Sequence, residues 1–163
     1  MPHHHLPPPP PPPEGERLRI LFLCTGNSCR SQMAEAFANQ LHAGRILARS
    51  AGVAPHGLDP RAVRVMAEAG IDISGNQSKD LSRFLEQHWD WVITLCDHAR
   101  ESCPLFPGPA RRLHAGFDDP PFLAREARSE DEALDFYRRV RDQIREFVAG
   151  LPQRLAQDLE KPS

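Results

Sequence analysis

Cys24 and Arg30 stand six residues apart in the segment Cys24-Thr25-Gly26-Asn27-Ser28-Cys29-Arg30-Ser31. A thiol, a run of small and polar residues and a guanidinium at this spacing suit nucleophilic chemistry on a tetrahedral anion. If the segment joins a strand to a helix start, its backbone N–H groups point outward and the helix dipole adds partial positive charge. Gly26 is expected to let the loop curl, so that successive amides face one centre, a nest for an oxyanion. Arg30 can close that nest with a bidentate guanidinium. A sulfur at its base is favoured as the thiolate, the nucleophilic form, and Ser31 is placed to donate a hydrogen bond to it. Thr25, Gly26, Asn27, Ser28, Cys29 and Arg30 are therefore the candidate substrate-binding residues. The plainer alternative is a buried structural cysteine beside a glycine turn, which leaves the whole Cys-x5-Arg-Ser arrangement without a reason.

Three more cysteines follow: Cys29, Cys96 and Cys103. In a cytosolic chain four cysteines rarely form structural disulfides. A zinc centre fits poorly, because Cys24 is needed in the nest and no histidine has ligand spacing; no metal ligand is assigned. Cys29 is expected to turn its side chain away from the anion. Taken singly, Cys96 reads as a core residue at a strand end and Cys103 as a surface thiol.

These side chains need a framework, and the hydrophobic pattern supplies one. Arg17–Cys24 is nearly continuous and apolar, as in a strand buried on both faces. Ser31–Leu41 has helical spacing, with Met33, Phe37 and Leu41 in register. Ile46–Ser50 reads as a second strand. Asp59-Pro60 opens a further helix, with aspartate as cap and proline at the first position, and Gly70 ends it. A weaker helix is expected over Asp80–His88, a third strand over Trp89–Cys96, and a short fourth over Arg111–His114. Tyr137, Val140, Ile144, Phe147 and Leu151 mark a final helix. Strands alternating with helices predict an α/β domain with a parallel sheet, whose ligands sit beyond the strand carboxyl ends. Cys24 and Cys96 both fall at such ends. If their strands are neighbours, those ends are roughly 4.8 Å apart.

Composition limits the alternatives. Of 17 prolines in 163 residues, eight lie in the first 13. Proline runs favour a solvated polyproline II rod, so residues 1–16 are expected to be a disordered Pro/His-rich tail. His3-His4-His5 in it could bind metal adventitiously. One domain is expected over 17–152, with 153–163 as a C-terminal tail. The net charge of −2 comes from Glu14 and Glu16 at the tail junction, leaving 20 basic and 20 acidic residues beyond them. A neutral domain has no field for nucleic acid or an acidic membrane surface. The longest apolar runs, Ile20–Cys24 and Trp91–Cys96, are far short of the roughly 20 residues that span a bilayer. The amino terminus does not read as a secretion signal, so a soluble, cytoplasmic protein is expected.

The segment Cys24–Ala36 (CTGNSCRSQMAEA) resembles the phosphate-binding loop of the low-molecular-weight protein tyrosine phosphatases, and most of all that of the thioredoxin-coupled arsenate reductases sharing their fold. The resemblance extends to residues 49–63, 92–104 and 114–120 and covers essentially all of 18–150. It implies a four-stranded parallel sheet in the order 2-1-3-4 flanked by helices, in a monomer. It also implies a three-cysteine relay. Cys24 attacks arsenate, Cys96 attacks the Cys24 sulfur so that arsenite leaves, and Cys103 moves the disulfide to Cys96–Cys103 for thioredoxin to reduce. If 97–103 were helical, its end cysteines would lie about 10.5 Å apart along the axis. A disulfide needs Cα atoms within about 7 Å, so a marginal helix that unwinds is expected.

The same resemblance selects Asp119, before Pro120, as general acid. Phosphatases of the family follow this Asp-Pro with paired tyrosines that recognise an aryl phosphate; Pro121 and Phe122 stand here instead, and the single tyrosine is Tyr137. Asn27, Glu35, Ser50, Ser78 and Asp80 match positions that hold a structural potassium ion in some of these reductases. An extra residue near Gly75 and Lys79 beside Asp80 depart from that pattern, and an ammonium there would replace or repel the ion. No other cofactor is implied. The residues also admit a phosphatase with Cys96 and Cys103 incidental, weak phosphatase activity being expected of the loop in any case. They admit a non-enzymatic oxyanion or thiol sensor as well. His98, Arg100, Arg111, Arg112, Arg138, Arg139 and Arg141 read as solvated.

Overall fold

The computed structural model describes residues 16–97, 101 and 105–160. Residues 1–15, His98, Arg100, Cys103 and Pro104 lie outside the described residues, so the tail, the last relay cysteine and most of the 97–103 helix expectation are not addressed by it. Four parallel strands form the sheet: β1 (Leu18–Cys24), β2 (Ile46–Gly52), β3 (Trp91–Thr94) and β4 (Arg111–His114), in the order β2-β1-β3-β4. This is the expected topology. β1 lies at the centre because its side chains alternate between two cores. Ile20 and Phe22 pack on one face with Phe37, Met66, Tyr137 and Ile144, while Leu21 and Leu23 pack on the other with Phe84, Trp89 and Phe106.

Helices α1 (Arg30–Leu41), α2 (Pro60–Glu68), α4 (Glu130–Ala149) and α5 (Leu151–Glu160) supply the larger core; α3 (Pro120–Leu123) is a single turn. Caps set their starts as the residues suggest: Asp59 accepts from Arg61 N ahead of α2, and Ser129 accepts from Glu132 N ahead of α4. Arg138 and Arg141, expected to be solvated, instead reach across to Glu68 and tie α4 to α2. Leu41 completes the α1 stripe in sequence but is 39% exposed at the helix end.

Three boundaries differ from expectation. Asp80–His88 forms only a 3-10 turn, Leu81–Phe84. The Phe84 carbonyl accepts from the Trp89 indole N–H, and Leu85 faces solvent, so neither the ladder nor the apolar stripe continues. β2 runs two residues further, to Gly52, and β3 is shorter than its apolar run. Most consequential, 153–160 is not a tail: α5 restarts after Gly150 and buries Leu151 and Leu155 in the core. Pro152 sits at its second position, where its missing N–H has no partner to lose. Among the described residues no helix is long and apolar enough to cross a membrane.

Candidate active site

β1 ends at Cys24 and α1 begins at Arg30, so residues 24–30 are the strand-to-helix connection that an anion nest requires. The left-handed residue of this loop is Asn27, with φ of 47°, and not Gly26. Asparagine tolerates that conformation because its short side chain bonds locally. Asn27 is fully buried. Its Oδ1 accepts from Lys79 N at 2.8 Å and Gln32 Nε2 at 3.1 Å, and its Nδ2 donates to Ser31 Oγ at 2.7 Å. The Asn27 side chain thus shapes the loop from beneath. Two glycines serve close approach instead. The His56 imidazole lies against Gly26, and Gly52 at the end of β2 passes under the loop, where a Cβ would meet Thr25 O at 2.5 Å.

The thiol sits at the base. Ser31 Oγ is 2.9 Å from Cys24 Sγ. A thiolate can only accept, so in that state the chain runs Asn27 Nδ2 to Ser31 Oγ to Cys24 Sγ. Cys29 is buried in the main core, with its thiol pushed up by burial, then by Asp59. Cys24, Thr25, Gly26, Ser28, Cys29 and Arg30 line a cleft of about 410 Å³ with Val53, His56, Glu101, Asp119 and Pro121. Arg30 Nη2 is 3.6 Å from Asp119 Oδ1, whereas Asp118 turns outward beside Arg139. His56 and Glu101 were not among the sequence candidates. Both lie within stretches that carried the resemblance, 49–63 and 92–104, but nothing in the pattern separates Glu101 from Asp97.

Cys96 is fully buried just past β3. β1 and β3 are neighbours up to these ends, with Leu95 N donating to Leu23 O at 2.9 Å, so both cysteines leave adjacent strands. Tyr137 is far from an aryl-recognition role: its hydroxyl donates to Asp59 Oδ2 at the start of α2.

The positions matched to a potassium ion meet in pairs, Glu35 with Ser50 and Asn27 with Ser78. Lys79 Nζ lies 3.7 Å from Glu35 Oε1, both side chains being largely buried, and Ser50 Oγ donates to the same oxygen. The Asp80 carboxylate is turned away to accept from Ser82 N, and Ser78 Oγ donates to Asn27 O. Burial raises the Glu35 pKa and lowers that of Lys79, each offset by the partner's charge. An ammonium thus stands at the carboxylate where the resemblance places the ion.

A thiol at the carboxyl end of a central strand in a parallel 2-1-3-4 sheet, in a strand-to-helix loop with an arginine and an aspartate beside it, is the arrangement of the phosphatase-like class of thiol proteins. Residues 19–161 match the low molecular weight phosphotyrosine protein phosphatase family, and the chain belongs to that family. Curated relatives include "Arsenate reductase" of Bacillus subtilis, 48% identical over 125 residues, which are 77% of this chain and 88% of that one. Among solved structures, an arsenate reductase in the phosphate binding state is 34% identical with a TM-score of 0.66, covering 84% of this chain and 98% of its own. The low molecular weight protein tyrosine phosphatase of T. tengcongensis is 25% identical with a TM-score of 0.64, covering 84% and 99%.

Proposed function

We propose that this protein reduces arsenate to arsenite as a cytoplasmic monomer, with thioredoxin as the reductant. The observation that carries the reading is a second buried thiol, Cys96, leaving the strand next to that of Cys24. A phosphatase has no use for it. The naming of the relatives as arsenate reductases supports the same conclusion. Among the described residues no phenylalanine, tyrosine or tryptophan lines the cleft, and its one ring is the His56 imidazole, so the paired tyrosines that recognise an aryl phosphate in the phosphatases have no counterpart there.

In this mechanism the nest amides and Arg30 hold arsenate, a tetrahedral anion like phosphate. Cys24 thiolate attacks arsenic and one oxygen leaves as water, Asp119 serving as general acid. Cys96 thiolate then attacks the Cys24 sulfur. The electron pair of the S–As bond stays on arsenic, which leaves as arsenite, while two thiols become the Cys24–Cys96 disulfide. Cys103 attacks Cys96 in turn, releasing Cys24 and giving Cys96–Cys103, which thioredoxin returns to two thiols. The sum is arsenate plus two thiols to arsenite, disulfide and water.

NADPH oxidation coupled through thioredoxin and its reductase tests this. Turnover must require arsenate and fall to background in both Cys96→Ser and Cys103→Ser. Equal turnover in the wild type and both variants, or none in any, would overturn the relay, and phosphate ester hydrolysis alone, independent of Cys96 and Cys103, would transfer the protein to the phosphatases.

A further inference from the structure

Glu101 holds the arginine of the anion site. Its Oε1 lies 2.7 Å from Arg30 Nη1 and its Oε2 2.8 Å from Nη2, an end-on bidentate pair whose side chains are 4% and 9% exposed. The same carboxylate accepts from Thr25 Oγ1 and from Asp97 N, both at 3.1 Å. Glu101 N in turn donates to Asp97 O at 2.7 Å. Burial raises the Glu101 pKa, but the Arg30 and Asp97 hydrogen bonds outweigh it and bring the group to about 2. It is therefore a carboxylate throughout the neutral range.

A guanidinium offers more than one fork. Its five N–H donors include an end pair, Nη1 with Nη2, and a side pair, Nε with Nη2. Glu101 takes the end pair, and Phe117 O takes another Nη1 proton at 3.0 Å. Arg30 Nε, by contrast, is buried with no partner among the described residues. A buried donor left unpaired is destabilising unless something fills its place, and this one belongs to the arginine that lines the cleft beside Cys24. Glu101 and an oxyanion can thus share one guanidinium on different edges.

We propose that Glu101 is a positioning residue for oxyanion binding: its end-on pair with Arg30 fixes the guanidinium so that the Nε–Nη2 edge is presented to the anion in the loop. This deepens the arsenate reading and rests on the loop being an oxyanion site. An arginine side chain carries considerable rotamer freedom, which Glu101 removes before the ligand arrives. The opposite role, a tethered anion competing for Arg30, predicts the opposite sign.

The test uses the reduced full-length protein and inorganic phosphate as probe, followed by calorimetry and as a competitive inhibitor. Glu101→Gln, close in shape, weakens phosphate binding by about tenfold or more and raises the arsenate KM in step, as misplaced binding groups do. Glu101→Asp, keeping the charge, recovers part of the loss. In an Arg30→Lys background, Glu101→Gln costs no further phosphate affinity, because Glu101 acts through Arg30. Unchanged or tighter phosphate binding in Glu101→Gln, or a full additional loss in the Arg30→Lys background, overturns the proposal. Absence of phosphate binding in the wild type overturns the oxyanion-site reading itself, and this proposal with it.

Discussion

Replacing Asn27 by alanine removes both things that shape the loop, and the cost follows from the contacts. The left-handed backbone at φ of 47° is tolerated by asparagine but costs other L-residues roughly 1–2 kcal/mol. The side chain makes three hydrogen bonds in a site with no solvent access. Gln32 Nε2 retains Gln77 O and Asn27 O as partners, and Ser31 retains Cys24. Lys79 N loses the acceptor it has there, and a buried unpaired amide costs about 1–3 kcal/mol. Alanine should therefore destabilise the protein by about 3 kcal/mol, within a range of roughly 2–5. Glycine at the same position loses the hydrogen bonds but not the conformation, so it should remain about 1 kcal/mol more stable than alanine. Urea unfolding of wild type, Asn27→Ala and Asn27→Gly measures both differences. With Ser31 no longer held, alkylation of Cys24 by iodoacetamide at fixed pH should slow in both variants. An alanine variant within 1 kcal/mol of wild type, or a glycine variant no better than alanine, refutes the reasoning.

Three other expectations are simpler. Turnover of the wild type should be the same in sodium and potassium buffers, because Lys79 Nζ stands beside Glu35; Lys79→Met should lose stability and regain part of it with added potassium, and its absence in both salts counts against the ammonium's role. Glu68 is held at about 2 by hydrogen bonds from Arg138 and Arg141. A lowered carboxylate pKa stabilises the fold above the usual range near 4.5 and loses that contribution as pH falls towards 2, so Glu68→Gln should melt below wild type at pH 7 and level with it near pH 2. Leu155→Ala should cost about 2–5 kcal/mol by opening a cavity in the core, a value a dangling tail could not give in thermal or urea unfolding.

The parts legible in the sequence are those with a strong periodic or local signal. β1 reads as a strand because both its faces are apolar, and the pattern alternates into two cores as that demands. The Cys24–Ser31 segment is legible because a nucleophile, amides and a guanidinium must be local to build a nest. The curl of the loop, expected from Gly26, comes with a positive φ at Asn27, because composition does not say which residue carries it. α5 falls where a tail is expected over 153–163, and Pro152, at its second position, is compatible with a helix opening. Glu101 could not be found from pattern at all: its partner lies 71 residues away, and only the tertiary fold brings the two together.

The most direct test of the relay is a single turnover of the fully reduced protein with arsenate and no external reductant, followed by peptide mass mapping of the disulfides. The account predicts one arsenite per protein and a Cys96–Cys103 disulfide in the wild type, with Cys24–Cys96 trapped in Cys103→Ser. Arsenite release with Cys96 still a thiol, or no arsenite while Cys24 is intact, would contradict it.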